Sequence, residues 1–592
     1  MKVVSLFKKS VFYIKNFGLK EFFKKVKGYV FSRFLRKRDN IAYTKLVTLE
    51  KFNEAKIKKE IENLKYKPFL SVIIPTYNTP MSFIKETVSS VNKQFYKNFE
   101  IIIYDDASKD EYLKKYLEKI NKGNIKVFFS KKNKGISETS NLAAKEASGD
   151  YLVFLDHDDT LSPNALYEVV KYLNKNRSID YIYSDEDKLS HKGEREDPFF
   201  KPDFSYDMLL TYMYITHIRV IKKNTFEKLG GLDKKYDGAQ DWDFALRLFE
   251  KKGTFGHIPK VLYHWRKNPN STADEDSGAK SYAYKKQQLL IEEHLKRMNV
   301  KAAVKEGYFK GSYKVDREII GNPKIEIIIP FKDKVEYLKD CIESIQKLST
   351  YKNYEICLVN NNSKSEKTSQ YLKTLNNNPR IKKLEYKKEF NYSLINNFAV
   401  KRTESDYVLF LNSDTKIITP RWIEEMLSIA QRKDIGAVGG LLLYKDNTIQ
   451  HAGIILGLGG VAAHSHRGFP SNSNGHGGLV SCVRDVSAVT AACLLMQRDK
   501  FLKIKGFDEN LKIAYNDVDL CLRLKRIGFS NIYTPYSKLY HYESKTRKKT
   551  VGENEKDTNF FLKRWKKYIE KGDPFYNFNL TLSKEDYSFR KI

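Results

Sequence analysis

The stretch GDYLVFLDHDDTLSP, residues 149–163, is a strand-type apolar run that stops abruptly among three carboxylates, Asp156, Asp158 and Asp159. Residues i and i+2 of a strand share a face, so Asp156 and Asp158 project together where the strand ends. Like charges placed this way repel unless a cation sits between them. A hard divalent ion, Mg²⁺ or Mn²⁺, takes oxygen ligands and bridges to substrate phosphates. The competing explanation is a turn whose aspartates cap a helix beginning at Ser162, Pro163 and Asn164. Recurrence weighs against it: SDYVLFLNSDTKIITP, residues 405–420, repeats the apolar run and again ends in an acid, Asp414.

The surroundings of both stretches repeat as well. Residues 1–67 read as helical and charged, and KPFLSVIIPTYNTP (67–80) then gives a strand closed by Pro75 and a turn. A helix with Ile84, Val88 and Val91 on one face follows, then the strand FEIIIYDDASKD (99–110), a helix over 112–121, the strand IKVFFS, a helix around 137–147 and the strand 151–155. Such alternation predicts an α/β fold with a parallel sheet and helices on both faces. Ligands of such sheets bind at the carboxyl ends of the strands, where the polar clusters fall. Pro75 to Pro330 is 255 residues, Asp106 to Asn361 is 255, Asp158 to Asp414 is 256, Asp241 to Asp517 is 276 and His264 to His541 is 277. An ordered series with one insertion means two copies of a whole domain.

Other groups in the pattern have candidate chemistry. Asp105 and Asp106 end a strand, where a carboxylate can accept from a nucleobase N–H, although an isolated pair of this kind is more often turn chemistry. Asp241 and Asp243 open an amphipathic helix, DWDFALRLFEK, where the helix dipole favours negative charge. One of them is the candidate general base for a hydroxyl nucleophile. His264, after KVLY, is a candidate third metal ligand. The Gly-rich segment 451–478 holds His451, His464, His466 and His476 in no structural zinc spacing, which reads as a flexible acceptor loop.

Taken in order, SVIIPTYN, DDASKD, LDHDD and QDWDFALRL resemble the family 2 glycosyltransferases with the GT-A fold. YSDEDKL (183–189), PFFKPDFSYDMLL (198–210), QHAGIILGLGGVAAHSHRG (450–468), AVTAACLLM (488–496) and NDVDLCLRL (516–524) are similar to the tandem enzymes of bacterial O-antigen or rhamnan surface polysaccharide assembly. The resemblance covers about residues 40–545. It implies two tandem GT-A domains, Rossmann-like nucleotide-diphospho-sugar transferase units, at 68–300 and 322–545. A basic helical N-terminal region (1–67) precedes them and a basic helical tail (546–592) follows. It also implies that Pro75, Thr76 and Tyr77 border the nucleotide, that Asp106 holds a uracil or thymine, and that Asp156 and Asp158 form the DxD element. Asp158 would then be the direct metal ligand, Asp241 the catalytic base, and His264 would lie near metal and diphosphate.

In the second copy the matching candidates are Pro330, Asn361, Asp414, Asp517 and His541. Departures are Gln240 where an acid usually precedes the base, Phe331 and Lys332 for Thr and Tyr, Asn360–Asn361 for two acids, and Asn412 for the first Asp of DxD. The second site is therefore either active on a different donor or a degenerate carbohydrate-binding domain. The implied donors are UDP- or dTDP-sugars, the acceptor a glycan or lipid-linked glycan, and the reaction a metal-dependent displacement with inversion.

Composition limits the partners. The 592 residues carry 106 Lys and Arg against 73 Asp and Glu, a net charge of +33 that favours phosphates, nucleic acid or an anionic membrane. The basic residues form no aromatic-interleaved stripe, so nucleic acid is not the expected partner. Val4, Phe7, Val11, Ile14, then Phe22, Val26 and Tyr29 follow helical spacing in a Lys/Arg-rich start, as an interfacial membrane helix does. The alternative is a helix packed on the first domain with its lysines in water. Five cysteines without a CxxC fit buried thiols in a reducing compartment. With neither a membrane span nor a signal segment, the expected location is cytoplasmic, peripheral on the inner face of the membrane.

Overall fold

A computed structural model describes residues 26, 28, 30–267, 281–542 and 555–590. Of the apolar positions expected to face a membrane, all but Val26 lie outside the described residues. The chain forms two compact units. One holds Arg36–Phe204 and Leu209–Val315, and the other holds the described residues from Asp316 onward with Ser205–Met208 and those before 36.

In the first unit Leu70–Thr76 is the central strand, parallel to Phe99–Asp105 on one side and Tyr151–Phe154 on the other, with Ile125–Phe129 outermost. All seven residues of Leu70–Thr76 are buried, because helices cover both faces. The helix Met81–Asn92 buries Ile84, Val88 and Val91, the stripe its spacing predicts. Beyond Tyr151–Phe154 the sheet ceases to be purely parallel, since Arg219–Lys222 enters antiparallel. Tyr181–Leu189, Phe255–Arg266 and the short Thr160–Leu161 follow. The reversal matters for the site: the beginning of an antiparallel strand, not its end, lies at the carboxyl edge of its parallel neighbours.

The second unit repeats this order. Ile325–Phe331 is parallel to Tyr354–Asn360 and Tyr407–Leu411, Ile381–Glu385 is outermost, and Cys493–Gln497 is the antiparallel intruder. Its sheet is packed on one side by Ile325, Ile327, Ile329 and Trp422, and on the other by Ile328, Phe410, Leu494 and Phe507. All five cysteines are buried free thiols.

Two boundaries differ from the sequence expectation. Residues from 36 to 67 belong to the first unit, because Ile57, Ile61, Leu64 and Tyr66 pack against its core and the buried Tyr43 hydroxyl donates to Asp187 at 2.6 Å. The unit also runs on to Val315, taking in the strand Ala302–Glu306 and the first three residues of its partner strand Tyr313–Arg317. The tail helix Glu555–Glu570 docks on the second unit and buries Phe561 and Trp565. Trp565 Nε1 and Arg564 Nη1 donate to one oxygen of the fully buried Asp519, at 2.9 and 2.8 Å, and Arg523 Nε donates to the other at 2.7 Å. Asp519→Ala leaves these donors without an acceptor. It is expected to cost about 3–5 kcal/mol of stability, read as a lowered thermal midpoint of this unit.

Candidate functional site

The run that opens at Tyr151 ends in a tight turn, closed by the Asp159 amide donating to the Asp156 carbonyl at 3.2 Å. Asp159 is 1% exposed, and its carboxylate accepts from the Tyr263 hydroxyl at 2.6 Å and the Arg266 amide at 2.7 Å. Burial raises its carboxyl well above the usual range, and Asp158 and Asp156 add to that by repulsion. Burial likewise raises Asp158, with Asp156 contributing. Three acids crowded by one turn are the arrangement the sequence indicates.

The antiparallel strand supplies what the sequence does not show. Just before it, His217 stacks on the Tyr263 ring with centroids 4.1 Å apart. Single ligand atoms of Asp156, Asp159 and His217 lie within 4.8 Å of one another. His217 Nδ1 is 3.1 Å from Glu186, itself held by the buried Lys201 ammonium at 2.7 Å. A carboxylate on one ring nitrogen is how a metal-ligating imidazole is oriented. Two carboxylates and an imidazole are groups that a first-row divalent ion can take as ligands. Of the three ligands expected in this copy, Asp156 alone is in this gathered set. His264 pairs with Thr160, next to Asp159, but its Nδ1 is 2.6 Å from Asp187, which also accepts from Arg195 Nε at 2.6 Å.

Arg219 begins the antiparallel strand and lies between the two candidate functions. Its Nη2 is 3.4 Å from Asp156 Oδ1, and its Nη1 is 3.3 Å from Asp241 Oδ2. Burial opposes the guanidinium charge, but Asp156 and Asp241 outweigh it and hold the group above its ordinary range. Its Nε is buried without a hydrogen-bond partner. Asp241 keeps its other oxygen on the Trp242 amide at 2.9 Å, at the start of the helix Gln240–Glu250. Asp243 has a different job: Arg247 Nε donates to it at 2.8 Å, and the same guanidinium donates to the carbonyls of Leu229 and Gly231. The second copy repeats this with Asp519, Arg523, Ile504 and Gly506. In the first copy Asp241 thus meets Arg219 beside the acidic turn, while in both copies the second Asp of the helix holds the fold.

The nucleotide candidates lie along the same edge. Thr76 Oγ1 donates to Asp105 at 3.2 Å, Pro75 pairs with Tyr104, and Tyr77 is exposed. Asp106 is buried, and its carboxylate accepts the amides of Lys134 and Gly135 at 2.8 and 2.9 Å, ahead of the helix Ile136–Glu146. Gly135 is needed there because its φ is +91°. In the second copy Asn361 Nδ2 donates to the carbonyls of Tyr386 and Lys388, at 3.0 and 2.9 Å. Acid and amide thus do the same work, tying down a loop through its N–H groups in one copy and its C=O groups in the other. Pro330 pairs with Val359 as Pro75 does with Tyr104.

His541 Nε2 lies 3.2 Å from Asp414 Oδ1 and 3.1 Å from Asn412 Nδ2, and its Nδ1 is 2.7 Å from Gln450 Oε1. His541 outweighs burial and holds Asp414 below the usual carboxylate range. Asp517 accepts the Ala491 amide at 3.0 Å, and burial raises its carboxyl. The Gly-rich segment is not the flexible loop its composition suggests. His451 is fully buried against His464 at 2.8 Å, His466 is fully buried and stacks on Tyr587, and Gly459 donates to Leu582 of the tail.

The description "Glycosyl transferase family 2" matches residues 71–230 and 326–489, one stretch in each unit and together more than half of the chain. An uncharacterized protein, y4gI, of Sinorhizobium fredii is 36% identical over 89% of this chain and 59% of its own length. The O-antigen biosynthesis protein RfbC of Myxococcus xanthus is 34% identical over 90% of this chain and 42% of its own. The chain thus spans about half the length of these curated relatives. Among solved structures, S. aureus TarS in complex with UDP-GlcNAc is similar at 21% identity and a TM-score of 0.33, over 38% of this chain and 66% of that one. The chain belongs to glycosyl transferase family 2 and carries the family's GT-A domain twice, in tandem.

Proposed function

We propose that the chain transfers sugar from a nucleotide-diphosphate donor, UDP- or dTDP-linked, to a growing bacterial surface glycan, with inversion at the anomeric carbon. The observation that carries this reading is Arg219 joining Asp156, on the acid-rich turn, to Asp241, on the facing helix. A diphosphate site and a base are then held a guanidinium's width apart. Asp241 removes the proton from the acceptor hydroxyl, whose oxygen bonds to the anomeric carbon as the donor's bond to its diphosphate oxygen breaks. The departing diphosphate keeps the electron pair. Asp156 and Asp158 of the DxD element, with Asp159 and His217 beside them, would hold Mg²⁺ or Mn²⁺, with His264 near the diphosphate. When bound, that ion stabilises the charge on the departing diphosphate. In the second copy Asp517 takes the role of the base. The name of the Myxococcus relative supports surface polysaccharide as the product class.

The test is a screen of nucleotide sugars with Mn²⁺, following nucleotide diphosphate release by the full chain, Asp158→Ala and Asp414→Ala. Loss of a different transfer step in each variant supports two working copies. Release from no donor, with any glycan acceptor, sinks the reading.

Residence at a membrane surface belongs to the same reading. No described helix is long and apolar enough to cross a membrane. Val30 and Phe34, however, are 59% and 63% exposed on a helix that also carries Arg33, Lys37 and Arg38. Co-sedimentation with anionic vesicles checks this, and a chain that stays in the supernatant at low salt rules it out.

A further inference from the structure

The two sheets share one register, yet they bring different chemistry to the same edge. Phe154 pairs with Arg219 in the first copy, and Phe410 pairs with Leu494 in the second. The residue two positions earlier is therefore His217 in one and Ala492 in the other. The turn that follows the strand holds Asp156, Asp158 and Asp159 in the first copy but Asn412, Asp414 and Thr415 in the second. At the positions of Asp156, Asp159 and His217, two acids and an imidazole have become an amide, a hydroxyl and a methyl group, and the acid that remains, Asp414, is the counterpart of Asp158.

What remains in the second copy is satisfied internally. His541 places Nε2 against Asp414 and Asn412 and Nδ1 against Gln450, so both ring nitrogens have partners. The one acid of the turn already faces that imidazole. Leu494 also replaces the buried guanidinium that links turn and base in the first copy. Among the described residues, the metal-competent gathering of His, Cys, Asp and Glu is the one in the first copy.

We infer that the chain holds one divalent cation, at Asp156, Asp159 and His217 of the first copy, and that the second copy works without one. The Asp414–His541 pair stands where the sequence pattern would put the ion. This rests on the reading of both copies as sugar-donor sites, and it divides one polypeptide into a metal-dependent and a metal-independent half.

The experiment titrates the full chain with Mn²⁺ alone and follows loss of the free-ion EPR signal. One tightly bound equivalent per chain is expected, lost in Asp156→Asn and His217→Gln and kept in Asp414→Asn and His541→Gln. Electron spin-echo modulation of the bound ion should show imidazole nitrogen in the wild type. That measurement keeps the test decisive if a first-copy variant fails to fold. A second tight equivalent that Asp414→Asn removes, no tight equivalent, or bound Mn²⁺ without nitrogen coupling overturns the inference. Binding is read without any donor sugar, so a chain that binds Mn²⁺ as expected yet releases no nucleotide sinks the transferase reading instead.

Discussion

Asp241→Asn is expected to slow sugar transfer at the first copy by about a thousandfold, within the usual contribution of a general base, while the chain melts as the wild type does. Asparagine keeps the shape and the oxygen that accepts the Trp242 amide at 2.9 Å, so the helix start survives. What disappears is the proton acceptor and half of the charge around Arg219. The contrast with Asp243, two residues on, makes the expectation specific. Asp243 is 1% exposed and accepts from Arg247, whose other nitrogens hold the carbonyls of Leu229 and Gly231. Asp243→Asn should therefore lower the melting temperature and reduce activity only as far as the fold is lost. Nucleotide diphosphate release and a thermal melt, run on both variants, separate the roles. Equal rates for Asp241→Asn and the wild type with the second copy silenced by Asp517→Asn would remove Asp241 from the chemistry.

Which of the two acids does what is not written in the motif, since both fit a helix N-terminus and both recur in the second copy. Position on the helix decides it: residues two apart point about 200° away from each other, so one carboxylate meets the site and the other meets Arg247. The sheet and its duplication, by contrast, are legible because they rest on local periodicity. Ile84, Val88 and Val91 mark a helix face, and runs such as LSVIIPT and YLVF mark strands covered on both sides.

His217 and Arg219 are invisible at that level. They reach the acidic turn only because Arg219–Lys222 runs antiparallel beside Tyr151–Phe154, a pairing between segments over sixty residues apart that no local pattern encodes. Asp106 has a second role that no local pattern shows. Its place at a strand end suggests base recognition, and its oxygens also accept the amides of Lys134 and Gly135. The boundary near residue 67 moves to 36 because Tyr43 and Asp187 meet across the fold. The Gly-rich histidine segment is packed into the unit because partners from residues 573 to 587 cover it, as in the Leu456 amide donating to Asp573 at 2.8 Å.

Arg219→Leu, which copies the residue the second unit has at this register, is expected to cut first-copy transfer about a hundredfold or more. Replacing it with lysine should recover part of that. Breaking a fully buried pair by removing one partner costs about 3–5 kcal/mol. The cost here is smaller, because the Asp156 and Asp241 side chains are 32% and 19% exposed and water screens them. Stability should fall modestly, and the larger loss should appear in kinetics. With the guanidinium gone, Asp156 and Asp241 repel with nothing between them, and the turn and the base helix lose the strut that sets their spacing. A displacement reaction is sensitive to that spacing, since about an ångström of misplacement at the reacting atoms can cost a hundredfold. The expected signature is a fall in kcat larger than the rise in donor KM. Lysine would restore kcat more than KM, because its single ammonium can stand between the carboxylates without reproducing both contacts. A purely structural arginine predicts something else: melting temperature and activity falling together, with lysine no better than leucine. If Arg219→Leu turned over at the wild-type rate, the coupling of turn and base through this side chain would be wrong, and with it the main support for reading the first copy as an active site.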